Sequence, residues 1–395
     1  MKSERKNLLF VQLQSDLYGS SRSLLRLVGA LDPTVYRVVV LVSDVGALSS
    51  QLEGRGAKVI RIPHVGAIER WSLFSWRSFL LPFEIVSATV RILRVIRRER
   101  VGLVHSNTSI ILAAALAAKI ARVPHVCHVR EIYDEFPVFW KLHRRFISWS
   151  SREIVCISKA VAGQFTDRRS RIIPNGLDLD AECRARPDPE ALRKSLGLDG
   201  SLLAGCIGRI KWRRKGQEVL IRALALLKER GVRMNALIVG SPFPGYEPHL
   251  QQMQAMAGRL GVTDQVRFLP EQPDVWPFYA LMDIFVMPSV MPEPLGNVIL
   301  EAMAMGVPVI ASRCGGAIDL IEEGKSGLLF EPGNDVELAD KLTDLLLHPQ
   351  RRRELGEGGR RRQGEEFSLA RCADRIDALY RQLLGLPARG EAGKA

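Results

Sequence analysis

The sequence predicts an α/β protein of two successive domains, each a parallel sheet covered by helices on both faces. Three observations carry this expectation. The chain has 395 residues, more than the roughly 250–300 over which a single hydrophobic core keeps growing. Near-continuous apolar runs, which suit strands buried on both faces, alternate with amphipathic stretches in two series. Between the series, 178-DLDAECRARPDPEALRKS-195 is polar and holds Pro187 and Pro189, a linker signature.

The first series is 8-LLFVQL-13, 36-YRVVVLVS-43, 57-AKVIRI-62, 101-VGLVHS-106, 124-PHVCHV-129 and 153-EIVCIS-158, and it assigns residues 1–183 to a first domain. The second is 202-LLAGCIG-208, 235-NALIVG-240, 265-QVRFL-269, 283-DIFVM-287, 307-VPVIA-311 and 326-SGLLF-330, which gives a second domain over 184–366. A ligand cleft is expected between them. Helical periodicity continues in 335-DVELADKLTDLLL-347 and 369-LARCADRIDALYRQLL-384; the helix within 367–385 is a candidate to return to the first domain. Residues 386–395 are expected to form a disordered tail.

With 47% hydrophobic and 25% charged residues, the composition excludes a mainly disordered, collagen-like or disulfide-scaffold chain. The formal net charge is +13, and +12 of it falls in residues 1–185. The six cysteines (Cys127, Cys156, Cys183, Cys206, Cys314, Cys372) show no metal spacing and mostly sit in apolar runs, so they are expected to be reduced in a cytoplasmic protein. The start is interrupted by Gln12 and Gln14 too early for a signal peptide. The longest apolar stretch, 109-SIILAAALAAKIA-121, carries Lys119 and is shorter than the ~20 residues of a membrane helix.

The strongest local signal is 292-PEPLGNVILEAMAMGVPVIAS-312. A loop with a small Gly296 opening a helix lets backbone N–H groups approach an anion, and the helix dipole adds attraction. A diphosphate fits there. Glu301, expected about two turns into that helix, suits vicinal hydroxyls such as those of a ribose, with Glu293 facing another part of the same ligand. The bland alternative makes Glu301 a solvated helix residue and Glu293 a loop charge. In 208-GRIKWRRKGQE-218, Arg209 and Lys215 follow a strand's carboxyl end, where open α/β sheets bind ligands; the alternative is solvated surface charge.

These motifs, with 18-YGSSRSLL-25, 128-HVRE-131, 157-IS-158, 174-PNGLD-178 and 324-GKSGLLF-330, resemble the retaining glycosyltransferases of family 4, which have the GT-B architecture of two facing Rossmann-like domains. The resemblance runs from about residue 8 to about residue 384. It implies that Arg209 and Lys215 contact a donor diphosphate, Glu301 the ribose and Glu293 the donor sugar. Backbone groups around Leu295, Gly296, Asn297 and Val298 would hold phosphate or sugar oxygens. It also implies that Gly19 and Ser20 belong to a first loop near the phosphate, although relatives often carry two glycines there, and that His128 lies near the reacting sugar as a catalytic residue with Glu293. His105, Arg130 and Glu131 are candidates for the acceptor side or for orienting His128.

The reaction implied is metal-independent transfer with retention, from a UDP- or GDP-sugar co-substrate and with no cofactor. The leaving phosphate would help deprotonate an acceptor attacking from the same face. The basic excess of the first half, with Arg70, Trp71, Trp76, Arg77, Arg94, Arg97 and Arg98 around 64–100, suits an anionic membrane surface, so a lipid-linked or polysaccharide acceptor at the cytoplasmic membrane face is expected. A buried helix face with a solvated basic face is the alternative. Nucleic acid is disfavoured because no nucleic-acid module accompanies the charge. A GT-B-like sugar-nucleotide epimerase acting in solution is the alternative enzyme, which would release no nucleoside diphosphate. Oligomeric state is not readable.

Overall fold

The computed structural model describes residues 5–68, 79–133, 137–165, 170–182, 188–198 and 200–389. It divides into two compact units, residues 1–176 with 369–395, and residues 177–368.

In the first unit, strands β1 (Lys6–Val11), β2 (Tyr36–Val42), β3 (Lys58–Arg61), β4 (Val101–Ser106), β5 (His125–Val129), β6 (Glu153–Cys156) and β7 (Ser170–Ile172) pair in the order β3-β2-β1-β4-β5-β6-β7. Every pairing is parallel. Successive residues of a strand point to opposite faces, and both faces are covered. Leu8, Phe10, Val38 and Val40 pack in one cluster with Leu24 and Leu27 of the helix Gly19–Ala30 and with Ile376, Leu379 and Tyr380 of the helix Leu369–Leu384. Leu9, Val11, Val39 and Leu41 pack in another with Ala88, Ile92 and Ile96 of the helix Leu81–Arg98 and with Ala113, Ala114 and Ala117 of the helix Leu112–Ala121. This double covering is why the strands read as unbroken apolar runs.

The second unit repeats the plan. Strands β8 (Leu203–Ile207), β9 (Asn235–Val239), β10 (Val266–Leu269), β11 (Ile284–Met287), β12 (Val309–Ser312) and β13 (Leu328–Phe330) run parallel in the order β10-β9-β8-β11-β12-β13. In each sheet the strand order reverses once, at β1/β4 and at β8/β11. At such a reversal the connecting segments diverge to opposite faces, and a crevice opens at the strands' carboxyl ends.

The division falls at 176/177 rather than at the expected 183/184. Leu177 is already tied into the second unit, its N–H donating to Phe367 O at 3.1 Å and its carbonyl accepting from Gln363 Nε2 at 3.0 Å. The helix Leu369–Leu384 counts with the first unit. Residues 386–389, expected in a loose tail, are held to that helix: Leu386 N–H donates to Arg381 O at 2.9 Å, Arg381 donates to Pro387 O at 3.0 Å, and Arg389 pairs with Asp374. Cys127, Cys156, Cys206 and Cys314 are buried free thiols and Cys372 a half-buried one; Cys183 lies outside the described residues. Among the described residues no helix is long and apolar enough to cross a membrane.

His125 opens β5 fully inside the first unit, its Nε2 2.9 Å from the Ser106 hydroxyl and its Nδ1 3.1 Å from that of Ser151. Burial pulls its pKa down from 6.5 to about 3, so the folded protein holds it neutral while the unfolded chain protonates it near its ordinary value. The stability this contributes is complete above pH 6.5 and is lost as pH falls toward 3, by about 1.4 kcal/mol per pH unit. The melting temperature should therefore fall less steeply in His125→Gln than in the wild type between about pH 6 and pH 4.5. Equal slopes would refute this account.

Candidate functional site

In the second unit, the groups singled out from sequence gather where the strand order reverses. Arg209 follows β8 after Gly208, and its guanidinium lies 3.3 Å from the centre of the Phe243 ring. This contact holds the cation flat while leaving it charged. Lys215, on the turn before the helix Gln217–Glu229, places Nζ 2.7 Å from Glu293 Oε1 on the loop after β11. Ser289 donates to the same Glu293 oxygen at 3.3 Å. Lys215 and Glu293 are brought together by their connections: Val290 N–H donates to Arg214 O at 2.9 Å.

The glycines of this region permit close backbone approach. Gly216 has φ +69°, and a Cβ there would stand 1.7 Å from Pro288 O. Gly315 has φ +58°, and its Cβ would stand 2.1 Å from Glu293 O, while Gly316 N–H donates to that carbonyl at 2.8 Å. The loop carrying Glu293 is thus clamped on two sides by residues that cannot carry a side chain.

The helix Asn297–Ala304 begins after Gly296, whose φ is +91°. No side chain caps its start, so its first turn presents backbone N–H groups and the positive dipole end. Glu301 lies four residues in, about one turn, not the expected two: the helix starts after Gly296 as the sequence predicts, and four residues past Asn297 make a single turn. Nor is Glu301 solvated: the residue is 7% exposed, and the Tyr279 hydroxyl donates to its Oε2 at 2.9 Å and to Val298 O at 3.3 Å. Leu295 is buried, whereas Gly296, Asn297 and Val298 are half-buried. Tyr279 was not found from sequence, since its apolar stretch carries no motif.

In the first unit, the candidates converge at the ends of β4 and β5. His105 Nε2 lies 3.2 Å from His128 Nδ1, and the Tyr380 hydroxyl lies 2.7 Å from His105 Nδ1. Arg130, also buried, donates to Asn107 O at 3.0 Å, to Asn107 Oδ1 at 3.1 Å and 3.2 Å, to Asn175 Oδ1 at 2.6 Å and to His128 Nδ1 at 3.3 Å. These acceptors are uncharged, and burial lowers the Arg130 pKa to about 10. Burial first, then the Arg130 charge, drives the pKa of both His105 and His128 well below 6.5. Both imidazoles are neutral.

Glu131 accepts from the Thr108 hydroxyl, from Ser109 at 2.8 Å and from the Arg130 N–H at 3.0 Å. With both oxygens occupied, it braces the segment from β4 to β5. Gly19 and Ser20 occupy the first turn of the helix Gly19–Ala30 rather than a loop, because Tyr18 is already its cap residue; Ser20 O accepts from Asn107 Nδ2 at 3.1 Å.

On the surface of the first unit, Arg94, Arg97 and Arg98 are exposed on the helix Leu81–Arg98, where Arg98 Nε pairs with Glu99 at 2.9 Å. Arg70, Trp71, Trp76 and Arg77 lie outside the described residues. Phe79 and Phe83 are 80% and 75% exposed, followed by the exposed Val86 and Val90. Phe79 precedes the helix; the spacing of three and four residues places Phe83, Val86 and Val90 on one helix face.

The Glycosyl transferases group 1 family model matches residues 188–362 and that of Glycosyltransferase Family 4 residues 18–181. The chain is 38% identical over 200 residues to a GDP-mannose-dependent alpha-(1-6)-phosphatidylinositol monomannoside mannosyltransferase of Mycolicibacterium smegmatis, covering 48% of this chain and 50% of the relative. It is 31% identical over 314 residues to alpha-maltose-1-phosphate synthase of the same species, covering 72% of this chain and 80% of the relative. Across three curated relatives the matched stretch spans 50%, 65% and 54% of the relative's length. Among solved structures, Anabaena HepE in complex with UDP superposes with a TM-score of 0.81 at 23% identity, over 95% of this chain and 100% of that one. Sucrose-phosphate synthase from Thermosynechococcus elongatus gives 0.77 at 21% identity, over 96% and 100%. The fold is that of these GT-B structures.

The clamp on the Glu293 loop is testable without a ligand. Gly216→Ala should destabilise the protein by at least about 2 kcal/mol, since it combines a left-handed backbone with a backbone clash. A wild-type melting temperature would contradict the close approach described.

Proposed function

The chain belongs to the family 4 glycosyltransferases, and from that premise we propose that it moves a sugar, with retention, from a nucleoside-diphosphate sugar to a lipid-linked or polysaccharide acceptor at the membrane surface. The observation that carries the donor half is the gathering of Arg209, Lys215, Glu293, Glu301 and the uncapped helix start at the β8/β11 reversal. Arg209 and Lys215 supply positive charge to the diphosphate, and the N–H groups of the helix Asn297–Ala304 add dipole attraction. Glu301, held by Tyr279, accepts from the ribose hydroxyls, and Glu293 accepts from hydroxyls of the sugar.

As the sugar–phosphate bond breaks, negative charge grows on the leaving diphosphate. Cations and N–H groups already in position stabilise that charge without reorganising. The Lys215–Glu293 pair, 2.7 Å apart in the structure, keeps both groups oriented before the ligand arrives; Lys215 then turns part of its charge to phosphate. The same-face route needs no protein base, because a leaving phosphate oxygen takes the acceptor's proton. One named relative is a GDP-mannose-dependent mannosyltransferase and the HepE structure holds UDP, which favours transfer over epimerisation.

The acceptor half rests on the surface helix. Phe83, Val86 and Val90 present an apolar edge, with Phe79 exposed just before the helix and Arg91, Arg94 and Arg97 exposed on it. This is the composition of a helix that settles into the headgroup region of an anionic membrane. Each arginine near such a surface adds about 1 kcal/mol.

A thermal-shift series with UDP, GDP and their sugar derivatives tests the donor site. One nucleotide at a hundredfold excess over its dissociation constant should stabilise the protein by about 2.7 kcal/mol. Glu301→Ala should weaken that shift, and no response to any nucleotide would sink the proposal. Flotation with anionic liposomes should fall as salt rises. Phe83→Ser combined with Arg94→Glu should lower it about tenfold or more; binding to neutral vesicles as strong as to anionic ones would count against the membrane reading.

A further inference from the structure

The loop from Gly208 to Gly216 carries both Arg209 and Lys215, and the first two residues of the helix that follows tie it down. Gln217, which is buried, donates through Nε2 to Arg209 O at 3.0 Å. Glu218, also buried, reaches backwards and accepts the Arg213 N–H on Oε1 at 3.0 Å. A glutamate in a first helical turn is favoured by the dipole and commonly bonds N–H groups at the start of its own helix. Here no side chain caps the helix start, and the Glu218 carboxylate serves the loop instead.

Arg213 is the joint of this loop. Its φ is +57°, a left-handed conformation in which the Cβ of an L-residue crowds its own backbone. The turn around it starts at Lys211, whose carbonyl accepts from Arg214 N–H at 3.2 Å and from Lys215 N–H at 3.0 Å. Beyond it, Arg214 O accepts from Val290 N–H at 2.9 Å and from Met291 N–H at 3.2 Å on the loop of Glu293. Hydrogen bonds therefore lead from Glu218, through Arg213 and Arg214, to the loop whose Glu293 meets Lys215 at 2.7 Å. Packing does not account for the carboxylate. Glu218 Oε2 is buried with no hydrogen-bond partner among the described residues, a cost that an apolar side chain of similar shape would avoid.

We propose that Glu218 is a positioning residue for the donor diphosphate: by holding Arg213 in its left-handed conformation it fixes the Lys215 loop against the Glu293 loop. That Lys215 meets a diphosphate rests on the function proposed above; the brace on Arg213 does not. Every residue of the brace belongs to the second unit, and Glu218 acts through Arg213 rather than on the ligand. A loop fixed in advance meets phosphate without first having to be ordered.

The test uses the full chain and NMR. The Arg213 amide should exchange slowly with solvent in the wild type and about tenfold faster in Glu218→Ala; equal rates would overturn the brace. Titration with UDP and GDP, and with uridine and guanosine, separates positioning from general loss of structure. Whichever diphosphate binds the wild type should bind Glu218→Ala about tenfold more weakly. The matching nucleoside, which lacks the phosphates, should change less than about twofold. Equal loss for diphosphate and nucleoside, or no loss for either, would overturn the proposal. Glu218→Gln keeps an oxygen for the Arg213 N–H and should stay within about threefold of the wild type. Glycine takes the left-handed conformation without steric cost, so Arg213→Gly added to Glu218→Ala should recover about threefold in diphosphate affinity. A double variant that binds no better than Glu218→Ala would also overturn it. If the wild type binds no nucleotide, the donor reading fails, and the exchange rates alone decide the brace.

Discussion

A parallel strand covered on both faces has no polar side to offer. In β1, Leu8 and Phe10 point into one core and Leu9 and Val11 into the other, so chemistry is confined to where strands stop. The order reversals at β1/β4 and β8/β11 are the places where this confinement leaves room. Arg209 after β8 and the Glu293 loop after β11 obey it. His105 and His128 are among the exceptions, as are Ser106 and His125: polar side chains within the strands themselves, which the sheet tolerates because they are hydrogen-bonded to partners equally buried.

The two units use charge differently. In the second, Lys215 and Glu293 remain partly exposed and paired, a state that water and a ligand can both enter. In the first, Arg130 is buried among uncharged acceptors, and its charge acts through the orientation of neutral rings. A cation in that setting stays fully hydrogen-bonded, and its field is little screened.

Much of the fold was legible because the doubly covered strands write themselves as apolar runs. That Arg209, Lys215, Glu293 and Glu301 lie near one strand-order reversal was legible too, because each stands close to a strand end or a glycine turn. The depth of Glu301 in its helix was misjudged: in 293-EPLGNVILEAMA-304 it stands four residues past Asn297, one turn and not two. Tyr380 was invisible as a hydrogen-bond partner of the histidine pair: in 369-LARCADRIDALYRQLL-384 it is one more member of an apolar stripe. Its hydroxyl meets a histidine 275 positions away, a separation that periodicity does not encode. Proline and charge mark the polar stretch around 183/184, whereas the compact second unit begins at Leu177, whose N–H donates to Phe367 O.

The helix Leu369–Leu384 belongs to the first unit although residues 177–368 intervene. During synthesis the sheet β1–β7 leaves the ribosome well before this helix does, and domains generally fold as they emerge. Until the second unit has been made, the face of β1 and β2 that Ile376, Leu379 and Tyr380 cover stays open to solvent. The nascent first unit therefore has an exposed apolar face for the whole time the second is being translated, and completion of its core and of the histidine pair's hydrogen bonding waits until residues 369–384 have been made.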